Sequence, residues 1–138
     1  MEKKSSPHFI ESFGDYSTLC LRIGLAGVLL WFGSHEVFDP ASWMGYAPDW
    51  ATHLGFISVQ NLIIFNGIIE LILGLCILFG FFTRVAAALM IVHFIPIIAS
   101  LGYNEIAVRD VGLWFSALAL FFAPEDWCRV DCYLKKKR

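Results

Sequence analysis

Four apolar stretches, each about the length needed to cross a bilayer, leave this chain one solvent in which to fold. They cover residues 18–38, 59–82, 85–101 and 107–123. An α-helix rises 1.5 Å per residue, so about 20 apolar residues span a hydrocarbon core ~30 Å thick. Inside that core every backbone N–H and C=O must be satisfied within its own segment, which makes helices the only economical reading. The remaining composition agrees: of 138 residues 58% are hydrophobic and 16% charged, and the mean hydropathy is +0.67. One soluble core of this size cannot cover so much apolar surface. The predicted fold is therefore an all-α integral membrane four-helix bundle in the cell membrane. Residues 1–17 form a polar N-terminal segment and residues 124–138 a basic tail. The first run has no small-residue cleavage site after it, so it reads as a retained span rather than a signal peptide. Arg109 and Asp110 make the fourth span the least continuous.

Charge in the flanks sets the expected orientation. Lys3, Lys4, Arg84, Arg129, Lys135, Lys136, Lys137 and Arg138 fall on one side of a four-span chain, and Asp39, Asp49 and Glu105 on the other. Basic flanks resist transfer across the membrane, so both termini are expected in the cytoplasm and the 39–58 loop outside. Trp43, Tyr46 and Trp50 in that loop suit the interface, where an amphipathic ring meets apolar and wet surroundings together. The net charge of −2 gives no global field that points to nucleic acid, and no nucleic-acid signature occurs, so no nucleic-acid partner is expected.

Apolar side chains gain nothing in lipid by choosing one another over acyl tails, so small and polar residues should mark the helix interfaces. That predicts inward faces of Gly24, Gly27, Trp31 and Ser34 on span one, and of Asn66, Gly67, Glu70 and Gly74 on span two. Span three offers Ala86, Met90, His93, Ile97 and Ser100; span four offers Arg109, Gly112, Ser116, Ala119 and Ala123. Ile64, Ile68, Ile72 and Leu75 are left for lipid or other packing.

Ionisable groups at membrane depth are expensive unless neutralised, paired or hydrated. Glu70 and His93 fall near the middle of their spans. Asn66 lies one turn outward, and His35, Glu36, Arg109 and Asp110 share the outer boundary. These residues form a column in the outer half of the bundle, while Arg22, near the cytoplasmic end, is placed to snorkel. Two readings of the column compete. In one it fixes helix register, with Glu36 paired to Arg109 and Glu70 bonded to Asn66 or His93. In the other it lines a pocket reached from outside, where Glu70 and His93 exchange protons and Asn66, Glu36, Arg109 and Asp110 bind the substrate. Pro96 is expected to kink span three and free the Val92 carbonyl beside His93. Arg84 sits in the turn between spans two and three, where it can anchor the hairpin and bond the last carbonyls of span two. No metal site is expected, since the four histidines are scattered and no Cys-x-x-Cys pair occurs. Cys128 and Cys132 are four residues apart but should remain reduced in the cytoplasm, and Cys20 and Cys76 read as small hydrophobes.

The run Glu70-x3-Gly74-x5-Gly80-x2-Thr83-Arg84, together with Arg22, Gly33 and Arg109-Asp110, resembles the signature of the DoxX and DoxD-like membrane proteins over residues 19–123. Many members carry a lysine where this chain has Glu36. The resemblance implies a four-helix membrane fold. For part of the family it implies membership of a thiosulfate-to-quinone or thiol-linked oxidoreductase complex, and for other relatives a non-enzymatic role in assembly or trafficking. The expectation is thus a small oxidoreductase-associated membrane subunit whose pocket takes a quinone head group or small sulfur compound. The alternative is a non-catalytic accessory factor. Transport of a small solute or proton is the least favoured, four short spans leaving little room for the repeats on which alternating access is built. Expected partners are the bilayer and either other membrane subunits or further copies of the chain.

Overall fold

The computed structural model describes residues 8–53, 55, 57–124 and 130; Arg129, Cys128, Cys132 and the Lys135 to Arg138 cluster lie outside them. The described residues are helical almost throughout, in the order α1 (His8–Phe38), a 3-10 segment (Pro40–Tyr46), α2 (Asp49–Thr52), α3 (Val59–Phe79), α4 (Thr83–Leu101) and α5 (Glu105–Phe122). The four long helices fall on the four apolar stretches of the sequence. α1, from Tyr16 onward, α3 and α4 are long and apolar enough to cross a membrane by length and composition. α5 is shorter and carries Glu105, Arg109 and Asp110 in its first two turns.

Local chemistry explains where each helix stops. α1 ends at Phe38, before Asp39-Pro40, because the residue preceding a proline is pushed out of the helical region. Ser58 caps α3 by accepting from the Asn61 N–H at 3.2 Å. The apolar run expected to continue to residue 82 leaves the helix at Phe79. Gly80 takes φ +68°, and the pair of bonds Phe81 N–H to Cys76 O (2.9 Å) and Gly80 N–H to Ile77 O (3.2 Å) closes a Schellman cap. Asn104 opens α5 by accepting from Ala107 N–H at 2.8 Å. Pro96 lies within α4 without ending it.

α1 packs most extensively on α3 and α4 on α5, with lesser α3–α4 and α1–α5 contacts closing a four-membered ring. Leu25, Leu29, Ile77, Met90, Phe94, Ala117 and Leu120 form its centre. Ile68, Ile72, Leu75, Val92, Ile95 and Phe115 are exposed on its outside, where lipid solvates them. The predicted faces of α3 and α4 are the ones turned inward. Those of α1 and α5 are so only in part: Gly24, Gly27 and Trp31, and likewise Gly112 and Ala119, are exposed, while Arg109 and Ser116 are half-buried. Arg22 and Glu36 share one face of α1, and burying both turns Gly24 and Gly27 to the outside. Asp110, Ala117 and Leu120 do the same to Gly112 and Ala119 on α5. Removing charge from lipid outweighs close packing of small residues.

The α1–α3 contact is instead made at Gly33 and Gly67. A Cβ added to Gly33 would lie 2.8 Å from the Gly67 carbonyl oxygen, and one on Gly67 would lie 2.7 Å from the Gly33 oxygen. Two helix backbones can approach this closely only where neither carries a side chain.

Candidate functional site

Arg22 does not snorkel. It is 1% exposed, and its guanidinium donates from Nε to Ile77 O (3.0 Å) and from Nη2 to Leu78 O (2.7 Å). Both carbonyls belong to the last turn of α3; Ile77 O also accepts from Gly80 N–H, so the guanidinium is its second donor. The carbonyl bonds expected of Arg84 are made by Arg22, and Arg84 is exposed at the start of α4 beside the buried Thr83. Gly80 and Gly74 serve the hairpin and the packing: Gly80 supplies the left-handed cap, and a Cβ on Gly74 would meet Leu29 and Leu30 at 3.2 Å.

The polar column lies at the other end of the bundle and lines one cavity of about 260 Å³. Glu36, Asn66, Glu70, His93, Arg109 and Asp110 all reach it. Each comes from an element whose packing turns it inward: Glu36 from the end of α1, Asn66 and Glu70 from successive turns of α3, His93 from α4, Arg109 and Asp110 from α5. The loop between α1 and α3 covers the cavity with Trp43, Tyr46, Pro48 and Trp50. Trp50 Nε1 donates to Ser100 Oγ of α4 at 3.3 Å, tying the cover to the bundle. Pro96 and Ile97 complete the α4 wall.

The pairing inside differs from expectation. Glu36 does not pair with Arg109; its Oε2 accepts from Asn66 Nδ2 at 2.6 Å. The Arg109 guanidinium closes on its neighbour Asp110, with Nε to Oδ1 at 2.6 Å and Nη2 to Oδ1 at 2.5 Å. The Phe32 ring holds that guanidinium, with Cζ 3.7 Å from the ring centroid. A partner one residue away needs no rearrangement of helices, so Asp110 takes the cation and leaves Glu36 to the amide. Trp114 Nε1 bonds Ile91 O at 3.1 Å, stitching α5 to α4 one residue before the carbonyl that Pro96 deprives of its donor.

Three residues that line this cavity each carry a buried polar atom with no hydrogen-bond partner: Glu70 Oε2, His93 Nε2 and Arg109 Nη1. Buried polar groups are bonded as a rule, and each one left open in a cavity is a place for a ligand or water. No group of three or more metal-ligating side chains occurs among the described residues. The aromatic cover is legible in the sequence only as interface aromatics, because nothing in the spacing of Trp43, Tyr46 and Trp50 says that their loop folds back over the bundle end.

The fold and cavity define a class: small multi-pass membrane proteins with a polar cavity at the end of a four-helix bundle opposite the α3–α4 turn. Within that class the family is identified. The DoxX family model matches residues 17–102, more than half of the chain, and the chain belongs to the DoxX family. The match takes in α1 from Ser17 to the end of α4, including Glu36, Asn66, Glu70, His93 and the Gly74 to Arg84 motif. Arg109 and Asp110 lie beyond it. No curated protein and no solved structure matches the chain.

Proposed function

We propose that this protein is the membrane subunit of a quinone- or thiol-linked oxidoreductase system, and that its cavity binds the head group of a quinone or a small sulfur compound. The observation that carries this reading is the convergence of three residues with unpartnered buried polar atoms, from α3, α4 and α5, on one aromatic-covered cavity. A quinone offers two carbonyl oxygens about one ring apart, each needing a hydrogen-bond donor. Arg109 Nη1 donates to one and the Glu70 carboxyl, when protonated, to the other. His93 Nε2, lining the same wall, exchanges protons with the ligand. The bound quinone supplies a two-electron, two-proton acceptor, and the electrons come from a partner protein. The termini face the cytoplasm and the cavity cover faces outward, the orientation favoured by the basic flanks.

The test is titration of purified protein in mild detergent with a short-chain benzoquinone, followed by quenching of tryptophan fluorescence, since Trp43 and Trp50 line the cavity. Saturable one-to-one quenching, lost in Glu70→Ala and His93→Ala, is expected. Linear, unsaturated quenching would overturn the reading. A second reading, an accessory factor that engages another protein's transmembrane helix, is favoured by the outward small-residue faces, where a Cβ added to Gly24, Gly27 or Gly112 would meet nothing within 4 Å. A stoichiometric protein partner copurifying without any small molecule would support it.

A further inference from the structure

Carboxyl groups outnumber cations in the cavity, and this imbalance has chemical consequences beyond redox binding. The ionisable groups facing Glu70 are Glu36 from α1, His93 from α4, Arg109 and Asp110 from α5, and Tyr46 from the cover. Arg109 and Asp110 close on each other and count as one neutral unit. That leaves Glu36 and Glu70, which are 7% and 3% exposed, on adjacent turns of packed helices. Glu36 is satisfied by Asn66, whereas Glu70, which lines the cavity, has its Oε2 buried without a partner. Two neighbouring buried carboxylates repel each other when both are charged, and a shared proton or an entering cation relieves that repulsion. The outer wall is aromatic, with Trp43, Tyr46, Trp50 and Phe65, and ring faces attract cations more strongly than neutral groups of the same shape.

We propose that the cavity binds a small organic cation of the alkylammonium type in exchange for a proton held by Glu70. The balance is simple: the entering cation pairs with the Glu70 carboxylate, the carboxyl O–H bond breaks, and the proton leaves to water through the covered mouth. The cation's alkyl groups sit against the tryptophan and tyrosine rings. A cavity of about 260 Å³ accommodates a group the size of benzyltrimethylammonium. This exchange needs the cavity but neither a redox partner nor a quinone, so it stands or fails independently of the head-group reading.

The test uses full-length protein in detergent, benzyltrimethylammonium as the probe, and neopentylbenzene as its uncharged counterpart of the same shape. Benzyltrimethylammonium has no proton of its own to lose, so any acid released into weakly buffered solution comes from the protein. We expect it to bind about tenfold or more tighter than neopentylbenzene. Proton release should accompany saturation, and apparent affinity should rise about tenfold per pH unit over the range where one proton is exchanged. Glu70→Gln should abolish the release while melting at or above the wild-type temperature. Equal binding of the two probes, binding without acid release, or undiminished release in Glu70→Gln would each overturn the exchange. If Glu70→Gln fails to fold, the wild-type comparison of the two probes and the acid release decide the matter. Failure of cation exchange with intact quinone quenching would leave the head-group reading standing, and the reverse outcome would leave only the exchange.

Discussion

Replacing Gly67 by alanine tests whether the bundle's geometry depends on the α1–α3 contact. The new methyl would lie 2.7 Å from the Gly33 carbonyl oxygen, 2.8 Å from Glu36 Cβ and 3.1 Å from Val37 Cγ2. Two of these neighbours are backbone or a Cβ, which cannot swing aside as a side-chain tip does. Restoring ordinary contact at 3.4 Å requires the helices to separate by about 0.7 Å. Taken rigidly, that movement stretches the Asn66–Glu36 bond, now 2.6 Å, beyond good hydrogen-bond geometry. Overpacking costs about 1–3 kcal/mol, and the weakened bond costs about 1 kcal/mol more. Alanine's helix preference returns about 1 kcal/mol. The expected net destabilisation is about 1–3 kcal/mol, read by thermal or denaturant unfolding in detergent, with loss of ligand quenching because Glu36 and Asn66 shift together. The control is Gly24→Ala, whose methyl meets nothing within 4 Å and should leave stability within about 1 kcal/mol of wild type. If Gly67→Ala melts at or above the wild-type temperature, or Gly24→Ala is the more damaging, the assignment of the close contact to Gly33 and Gly67 is wrong.

Arg22→Met should destabilise by about 1–3 kcal/mol in the same unfolding assay, because it removes the guanidinium from Leu78 O and leaves Ile77 O only its bond from Gly80 N–H. Arg84→Ala should change stability by less than about 0.5 kcal/mol, its side chain being exposed, whereas Arg84→Glu should lower the yield of correctly inserted protein on a topology reporter. Trp114→Phe should cost about 1–2 kcal/mol through the loss of the bond to Ile91 O while leaving ligand binding nearly unchanged. Reporters fused to the two termini should both be found in the cytoplasm; a C-terminal reporter outside would mean that α5 does not span the membrane.

The four helices are legible in the sequence because the bilayer imposes a length and an apolarity that any span must meet. Their stops are partly legible as well, since Asp39-Pro40 and Gly102 are short-range signals. Hydropathy places the end of α3 three residues late, because it reads Phe81 and Phe82 as apolar regardless of backbone, while the turn depends on Gly80 adopting a left-handed conformation. The gathering of Glu36, Asn66, Glu70, His93, Arg109 and Asp110 in one half of the bundle follows from counting along each span. Who bonds whom does not follow: Arg109 joins Asp110 rather than Glu36, and Arg22 rather than Arg84 bonds the α3 carbonyls. Depth along a helix is one-dimensional and can be read from residue order. Rotation of each helix about its axis is a collective property, settled when the costs of exposing Arg22, Glu36 and Asp110 to lipid are weighed against all available partners. That same rotation turns Gly24, Gly27 and Gly112 outward while the 39–58 loop folds over the cavity, and neither can be read from one chain's residue order.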